Sequence, residues 1–251
     1  MNFAPEIIEA IKLHANEAFP NESCGFITEA GYVRVTNISS DPENTFRISA
    51  EDTVTYANAI AMVHSHPDKS AYDYRVNKRG FYPFCPSKDD LDSQISSGMT
   101  WGIVVTDGQN AMEPFFFGEF VLDLPIYGRE FRHGVEDCYT IIRKWFWQNR
   151  QVKLADFSRW DGWWDTNANL YVNNLAAAGF KRLSSTDRLQ EGDCGLMMIG
   201  GRNIQCLNHA FIYLGDGTMC HHLPNRISSR DAIGGRMNEI NFWARYAGPA
   251  A

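Results

Sequence analysis

Two stretches of ordered hydrophobic pattern follow one another along this chain, and each begins with a helix and continues with strands. In the first stretch, the apolar residues of Pro5–Ala18 recur at helical spacing. Ser87 is placed as the N-cap of a later helix that has Leu91 and Ile95 on its buried side. Short apolar segments bounded by turn residues predict strands, which cover residues 24–28, 32–37, 45–49, 59–63 and 101–106.

The second stretch begins with a helix at Cys138, which carries Ile141, Ile142 and Trp145 along one face. A further helix is predicted over residues 165–178, and strands are predicted over residues 195–199, 209–215, 218–223 and 239–246. Helices followed by strands are typical of α+β domains and not of alternating βαβ units. The sequence therefore predicts an α+β fold with two domains, at residues 1–118 and 133–251, joined by a linker at residues 119–132.

Length and composition agree with two folded domains. Two domains of about 120 residues each can bury enough surface for independent cores, and 44% of the 251 residues are hydrophobic. A net charge of −7 argues against nucleic acid as a partner, because binding to a phosphate backbone requires positive charge. No apolar segment is long and uncharged enough to predict a membrane span.

The cysteines indicate a reducing compartment. There are six of them, without a C-x-x-C pair, in a chain long enough to fold without disulfides. The first ten residues include Glu6 and Glu9 and lack the cationic start of a signal peptide. We therefore expect reduced thiols in a protein that is synthesised in a cytoplasm.

Residues 64–90 have the spacing of a zinc site. His64 and His66 are two apart at the end of a predicted strand, so both imidazoles face the same side. Asp90 lies in the first turn of the helix that Ser87 begins, which directs its carboxylate back toward the strand end. Two histidines and one carboxylate leave the fourth tetrahedral position open, as a catalytic Zn²⁺ requires. Glu22 is the candidate carboxylate for accepting a proton nearby.

These residues resemble a known family. Glu22 within Pro20-Asn21-Glu22-Ser23-Cys24-Gly25, then His64-Ser65-His66-Pro67, then Ser87-x-x-Asp90 is similar to the JAMM/MPN-plus (JAB) metalloisopeptidases. The resemblance implies that His64, His66 and Asp90 ligate one Zn²⁺. It also implies that Glu22 acts as the general base and that Ser87 steadies the oxyanion.

The spacing inside this site departs from the family. Twenty residues separate His66 from Ser87, about twice the usual gap. We expect the additional segment, residues 68–85, to form a lid or a docking loop. Asp89 is the alternative ligand if the helix is phased differently.

A cysteine at a helix start indicates a second site. Cys138 follows Asp137 at the predicted helix N-terminus, where the helix dipole lowers a thiol pKa and favours the nucleophilic thiolate. The helix amides, including that of Cys138 itself, are candidates for stabilising an oxyanion. His209, at the start of a predicted strand, is the candidate general base.

A third residue is needed to orient the imidazole of His209, and the following hairpin offers two. A three-residue turn over residues 215–217 places His221 on the face of His209, whereas a two-residue turn places His222 there. Spacing alone leaves both open.

Asp137-Cys138 at a helix start, residues 189–193 before a strand, and residues 209–217 form a pattern in this second half. This pattern resembles the NlpC-type, papain-like cell-wall endopeptidases. The resemblance implies a Cys138, His209 and His221 site that cuts peptidoglycan stem peptides. Tyr139 departs from the frequent D-C-S-G pattern, which alters the pocket wall without removing a catalytic group.

The order of the two halves resembles the tail tip assembly protein K family of lambda-like, long-tailed phages. Residues 128–139 and 221–230 are similar to that family's own segments. The resemblance implies synthesis in the host cytoplasm, a place in the virion tail tip among other tail tip proteins, and local cleavage of a peptidoglycan stem peptide during entry. The alternative is a structural assembly factor whose catalytic sites are vestigial or masked.

Overall fold

The structure, a computed structural model, describes residues 2–68, 83–166, 168–200 and 204–248. It divides into two compact units, Met1–Phe120 and Val121–Ala251. Each unit combines helices with its own, mostly antiparallel sheet, which confirms the predicted α+β class. The domain limits predicted from the sequence, with a linker at 119–132, stay a prediction.

In its described residues, the first unit consists of a five-stranded sheet and three α-helices. The strand order is β2-β1-β3-β4-β5, in which β3 and β4 run parallel and the other neighbours antiparallel. The helices are α1 Pro5–Ala18, α2 Ala50–Thr55 and α3 Lys88–Ser97, and the strands are β1 Cys24–Thr28, β2 Gly31–Val35, β3 Ala61–Pro67, β4 Thr100–Thr106 and β5 Phe115–Phe117.

The core of this unit forms where α1 packs on the sheet. Ile11 and Ala15 of α1 are fully buried against Ile27, Val63 and Val104 of three neighbouring strands. Burying each large aliphatic side chain stabilises the fold by roughly 1.5–3 kcal/mol. This packing holds β3 between β1 and β4, and it is the carboxyl end of β3 that carries His64 and His66.

One strand predicted in this unit is wrong. Residues 45–49 are irregular, and Ser49 instead begins α2. The Ser49 hydroxyl oxygen accepts from the backbone N–H of Asp52 and its hydroxyl donates to the Asp52 carboxylate. This local capping competes with extended structure and outweighs the β-propensity of the segment.

The second unit is a six-stranded sheet with the order β10-β9-β8-β7-β11-β6. The pairs that the structure gives within this sheet are all antiparallel. The helices are α4 Cys138–Arg150 and α5 Leu170–Asn174, and the strands are β6 Phe180–Arg182, β7 Cys194–Met197, β8 His209–Tyr213, β9 Thr218–His221, β10 Ser229–Ala232 and β11 Ile240–Tyr246.

Helix α4 lies on this sheet and is buried along most of its length. Its Ile142 and Trp145 join Leu196, Ala210 and Ile212 of β7 and β8 in one apolar cluster. The amino end of α4 is thereby held beside the start of β8, so that Cys138 and His209 lie in one region. Within the described ranges, no helix has both the length and the apolar character needed to cross a bilayer.

Candidate functional site

Three potential metal ligands converge in the first unit, as the sequence predicts. The Nε2 atoms of His64 and His66 are 3.0 Å apart. The two oxygens of Asp90 reach them, with Oδ1 3.2 Å from His64 Nε2 and Oδ2 3.3 Å from His66 Nε2. All three residues are buried, and their ligand atoms lie within 4.8 Å of one another.

A capping box at the start of α3 fixes the Asp90 carboxylate. The Ser87 backbone N–H and hydroxyl donate to Asp90 Oδ2 at 2.8 and 2.7 Å. In return, the Asp90 N–H donates to Ser87 Oγ at 3.1 Å. The Ser87 hydroxyl proton is thus committed to Asp90 in this arrangement, and the oxyanion role expected for Ser87 stays a prediction that requires this bond to break.

The geometry of the histidine rings fits a bound metal ion. His66 Nδ1 lies 2.9 Å from the Pro83 carbonyl oxygen, to which it donates. In the neutral ring the proton is therefore on Nδ1, and the Nε2 lone pair is directed at the cluster, as in metal sites with an oriented ligand. His64 Nδ1 has no hydrogen-bond partner among the described residues. The cluster of His64, His66 and Asp90 could hold one metal ion.

Charges in this cluster support one another. Burial alone would lower the pKa of His66, but hydrogen bonding to Asp90 and the charge of Asp90 raise it above its ordinary value. Burial likewise would raise the pKa of Asp90, but the two histidines hold it well below its usual range. The carboxylate is therefore ionised and available as a ligand at neutral pH.

Glu22 lies in the same cleft as the cluster. It precedes β1, is 4% exposed, and lines this cleft together with His66, Ser87 and Asp90. The cleft also contains the exposed Asp89, the alternative ligand, which is not part of the three-residue cluster. Of the predicted lid, residues 69–82 lie outside the described residues.

In the second unit, Asp137 prepares the start of α4. Its carboxylate accepts from the N–H groups of Tyr139 and Thr140 at 3.0 and 2.9 Å, which caps the helix. The Arg159 Nε donates to the other oxygen at 2.8 Å. Burial alone would raise the pKa of Asp137, but Arg159 and the helix amides hold it at about 2. This fixed carboxylate sets the position of Cys138.

The Cys138 thiol is buried and already has a partner. Its Sγ lies 3.0 Å from the Tyr171 hydroxyl of α5 and 4.0 Å from the Asn208 carbonyl oxygen. Burial and the charge of Asp137 raise the pKa of this thiol to about 11. That direction is opposite to the one expected from the helix dipole, because the dipole argument leaves out burial and the neighbouring carboxylate.

The β8–β9 register shows which of the two hairpin histidines faces the same side of the sheet as His209. Tyr213 pairs with Met219, so the turn has three residues and His221 shares a sheet face with His209. His221 Nδ1 lies 3.4 Å from His209 Nε2. His222 belongs to the opposite face, where its ring packs edge-on against Phe131.

His209 and Cys138 line one cavity, together with His133 and Trp164. Burial, with the charges of His221 and Arg236 beside it, lowers the pKa of His209 to about 3. Its Nδ1 has no hydrogen-bond partner in the part of the chain that is described. The cavity thus contains a protonated thiol and a neutral imidazole with a free nitrogen.

Sequence reasoning missed Tyr171 and Arg159, which both line this cavity. Arg159 holds Asp137 from twenty-two residues away, and Tyr171 reaches Cys138 from thirty-three residues away. Neither residue has a local spacing that relates it to Cys138. Only the tertiary packing of the segment around residues 157–171 brings them to the site.

Comparisons with known families match both halves of the chain. The family described as prokaryotic homologs of the JAB domain matches residues 4–73, and the NlpC/P60 family matches residues 128–245. The first match ends before Ser87 and Asp90, so the place of Asp90 in the cluster and its bond to Ser87 are given by the geometry alone.

Two relatives have the same description, tail tip assembly protein K. The protein of Escherichia phage lambda is 33% identical over 172 residues, which cover 68% of this chain and 73% of the relative. That of Escherichia phage N15 is 28% identical over 241 residues, covering 92% and 90%. A solved structure of an NlpC/P60 family protein from Bacillus cereus has 14% sequence identity and a TM-score of 0.31. The matched region covers 92% of this chain and 65% of the Bacillus cereus chain.

Proposed function

The chain belongs to the family of tail tip assembly protein K, and we propose that it is a phage tail tip component that cleaves peptidoglycan stem peptides with Cys138. The NlpC/P60 match of its second unit indicates a peptidase-type hydrolase. The proposal places the protein among other tail tip proteins of the virion, after synthesis in the host cytoplasm, and makes a cell-wall peptide its substrate.

One observation carries the proposal: a buried thiol at a helix start and a buried neutral imidazole with a free nitrogen line the same cavity. The backbone on both sides of His209 supports this placement. Cys138 Sγ contacts the carbonyl of Asn208 and a backbone group of Ala210, the two residues that flank His209. This placement supports a pairing of Cys138 as nucleophile with His209 as base, which thiol hydrolysis requires.

In the proposed reaction, His209 Nδ1 takes the proton of the Cys138 thiol as the sulfur attacks a stem-peptide carbonyl carbon. The carbonyl oxygen becomes an oxyanion that the N–H of Cys138 stabilises. The carbon–nitrogen bond then breaks, the leaving amine receives the proton from His209, and a thioester remains. His209 then takes a proton from water as the water oxygen attacks the thioester carbon. The carbon–sulfur bond breaks, a carboxylic acid is released, and His209 returns the proton to the Cys138 sulfur.

The resting site is neutral, and this sets its expected pH dependence. The pKa of His209 is lowered to about 3 and that of Cys138 is raised to about 11. The imidazole therefore stays an unprotonated base over a wide pH range, and proton transfer occurs during attack instead of beforehand. Activity in this account does not need a preformed thiolate–imidazolium pair.

The first unit is proposed to hold one Zn²⁺ through His64, His66 and Asp90. When bound, the ion supplies a Lewis acid beside an open coordination position. Glu22 lies in the same cleft and would accept and return a proton there. The Pro83 carbonyl and Ser87 keep the ligands oriented. Hydrolysis of an amide or isopeptide bond, or docking in the tail, is the role proposed for this unit.

A second candidate function has one observation in its favour. Cys138 is buried, bonded to Tyr171, and has a raised pKa. A structural tail tip assembly factor with a masked site has these properties as well. Cleavage of cell-wall peptides separates the two candidates.

The test is digestion of purified peptidoglycan, with the products identified by mass spectrometry. Wild-type protein is compared with Cys138→Ala and Asp90→Ala, in the presence of zinc. Loss of product only with Cys138→Ala assigns cleavage to the second unit, as proposed. An absence of product from every form favours the assembly factor.

A further inference from the structure

Strand β10 brings a carboxylate into line with the two histidines of the second unit. Ser229 pairs with His221 and Asp231 pairs with Met219, so Asp231 shares the sheet face of His221 and His209. Asp231 Oδ2 lies 2.7 Å from His221 Nε2. His221 Nδ1 in turn lies 3.4 Å from His209 Nε2. The side chains of Asp231, His221 and His209, one from each of three neighbouring strands, thus form a row. The row ends at His209, the base proposed for Cys138.

The row matters because a histidine in the third position is ambiguous. A neutral imidazole donates from one nitrogen and accepts at the other, and its tautomer follows from its partners. An ionised carboxylate only accepts hydrogen bonds. Asp231 therefore requires the His221 proton on Nε2, which leaves a lone pair on Nδ1.

The same reasoning continues through the second ring. Because His221 Nδ1 offers a lone pair, His209 Nε2 must carry a proton to bond with it. The remaining nitrogen of His209, Nδ1, then has the lone pair needed to take the thiol proton. In the opposite tautomer, His209 Nδ1 would already be protonated and unable to act as a base.

We infer that Asp231 is a positioning residue that sets the tautomers of His221 and His209. It thereby keeps His209 Nδ1, the nitrogen that accepts the thiol proton, unprotonated. The inference rests on the proposed function and names a residue that acts through others. The exposure of Asp231 supports such a role: in the His221–Asp231 pair, the His221 side chain is 2% exposed and the Asp231 side chain is 47% exposed. An ion pair so open to water contributes little to stability.

The other charged groups around these rings cannot replace Asp231. Arg226 and Arg236 act on His221 by repulsion, and a guanidinium accepts no hydrogen bond. His222 and Asp137 act on His209 only through their charge. Among the described residues, Ser229 is a further partner of Asp231, and it donates to the same carboxylate oxygen at 3.1 Å.

The test reads tautomers directly, in the full chain, from the ¹⁵N shifts of the imidazole nitrogens near pH 7. In the wild type we expect protonated Nε2 and unprotonated Nδ1 on both His209 and His221. Asp231→Ala should give mixed tautomers on both rings, and Asp231→Glu should restore the wild-type pattern. Asp216→Ala, which removes an exposed carboxylate from the β8–β9 turn, should leave the pattern unchanged.

Kinetics supply the second readout. Asp231→Ala should lower kcat at least about tenfold with little change in KM, well short of the about 10⁴-fold loss known for a carboxylate that contacts the base directly. Unchanged tautomers in Asp231→Ala, or a His209 protonated on Nδ1 in the wild type, would overturn the inference. Since the shifts need no cleavage, failure of the proposed function would be recognised separately, by inactivity of the wild type.

Discussion

At the scale of residues, both candidate sites depend on which group bonds to the histidine nitrogen that faces away from the site. The Pro83 carbonyl oxygen bonds to His66 Nδ1, and the Asp231 carboxylate bonds to His221 Nε2. The strand period predicted that His64 and His66 face one side. The contact with Asp231 was not predictable, because it depends on the pairing of β10 with β9, which local spacing does not encode.

The cluster of His64, His66 and Asp90 leads to a prediction about two adjacent carboxylates. Asp90→Asn should reduce bound zinc from about one equivalent to nearly none, because an amide is a poor ligand for Zn²⁺ beside two imidazoles. Asp89→Asn removes the neighbouring, exposed carboxylate and should keep full zinc content. Metal analysis of both purified variants checks this. Loss of zinc in Asp89→Asn alone would identify Asp89 as the ligand.

Tyr171 makes a prediction about the reactivity of Cys138. The hydroxyl of Tyr171 lowers the pKa of the thiol by hydrogen bonding to the charged sulfur, against the larger effect of burial. Tyr171→Phe should therefore shift the pH profile of Cys138 alkylation to higher pH. The profile is measured with iodoacetamide and peptide mass spectrometry. Tyr213→Phe, on strand β8, is the control. An unshifted alkylation profile in Tyr171→Phe would refute the role of Tyr171.

At the scale of elements, capping residues explain which predictions were correct. Ser87 and Asp137 begin α3 and α4 where the sequence places them, because their side chains satisfy helix N–H groups locally. The helix predicted over residues 165–178 is shorter, with α5 at Leu170–Asn174 only. Asn173 and Asn174 bond to backbone carbonyls there, which competes with helix formation.

The cap of α4 also makes a prediction about stability. Asp137→Ala should lower the free energy of unfolding by about 3 kcal/mol, because it leaves the buried Arg159 with one carboxylate partner fewer and uncaps the helix. Glu191→Ala, at an exposed position, should change it by less than about 0.5 kcal/mol. Chemical denaturation of the variants checks both values.

The same carboxylate gives a pH dependence with a definite sign. Its pKa is about 2 in the folded protein and 3.8 in the unfolded reference. The stabilisation is complete above the unfolded value and is lost as pH falls through the folded value. The stability difference between wild type and Asp137→Ala should therefore shrink between about pH 4 and pH 2. A difference that stays constant over this range would contradict the assignment.

At the scale of the whole molecule, the chain is a succession of two units, each with its own sheet and its own candidate site. The sequence predicted this order from two helix-then-strand patterns, and the JAB and NlpC/P60 matches occur in the same order. What the pattern could not predict is the chemical state of the second site. Burial decides that state, and burial depends on how the entire unit packs around Cys138.

The central claim is that Cys138 is a nucleophile activated by His209, and covalent trapping tests it most directly. The protein is incubated with a stem-peptide analogue that carries an electrophile at the scissile carbonyl, and the modified cysteine is located by peptide mass spectrometry. We predict modification of Cys138 alone among the six cysteines, and at least about a hundredfold slower labelling in His209→Ala. Equal labelling of Cys138 in wild type and His209→Ala, or modification of Cys206 in its place, would contradict the claim.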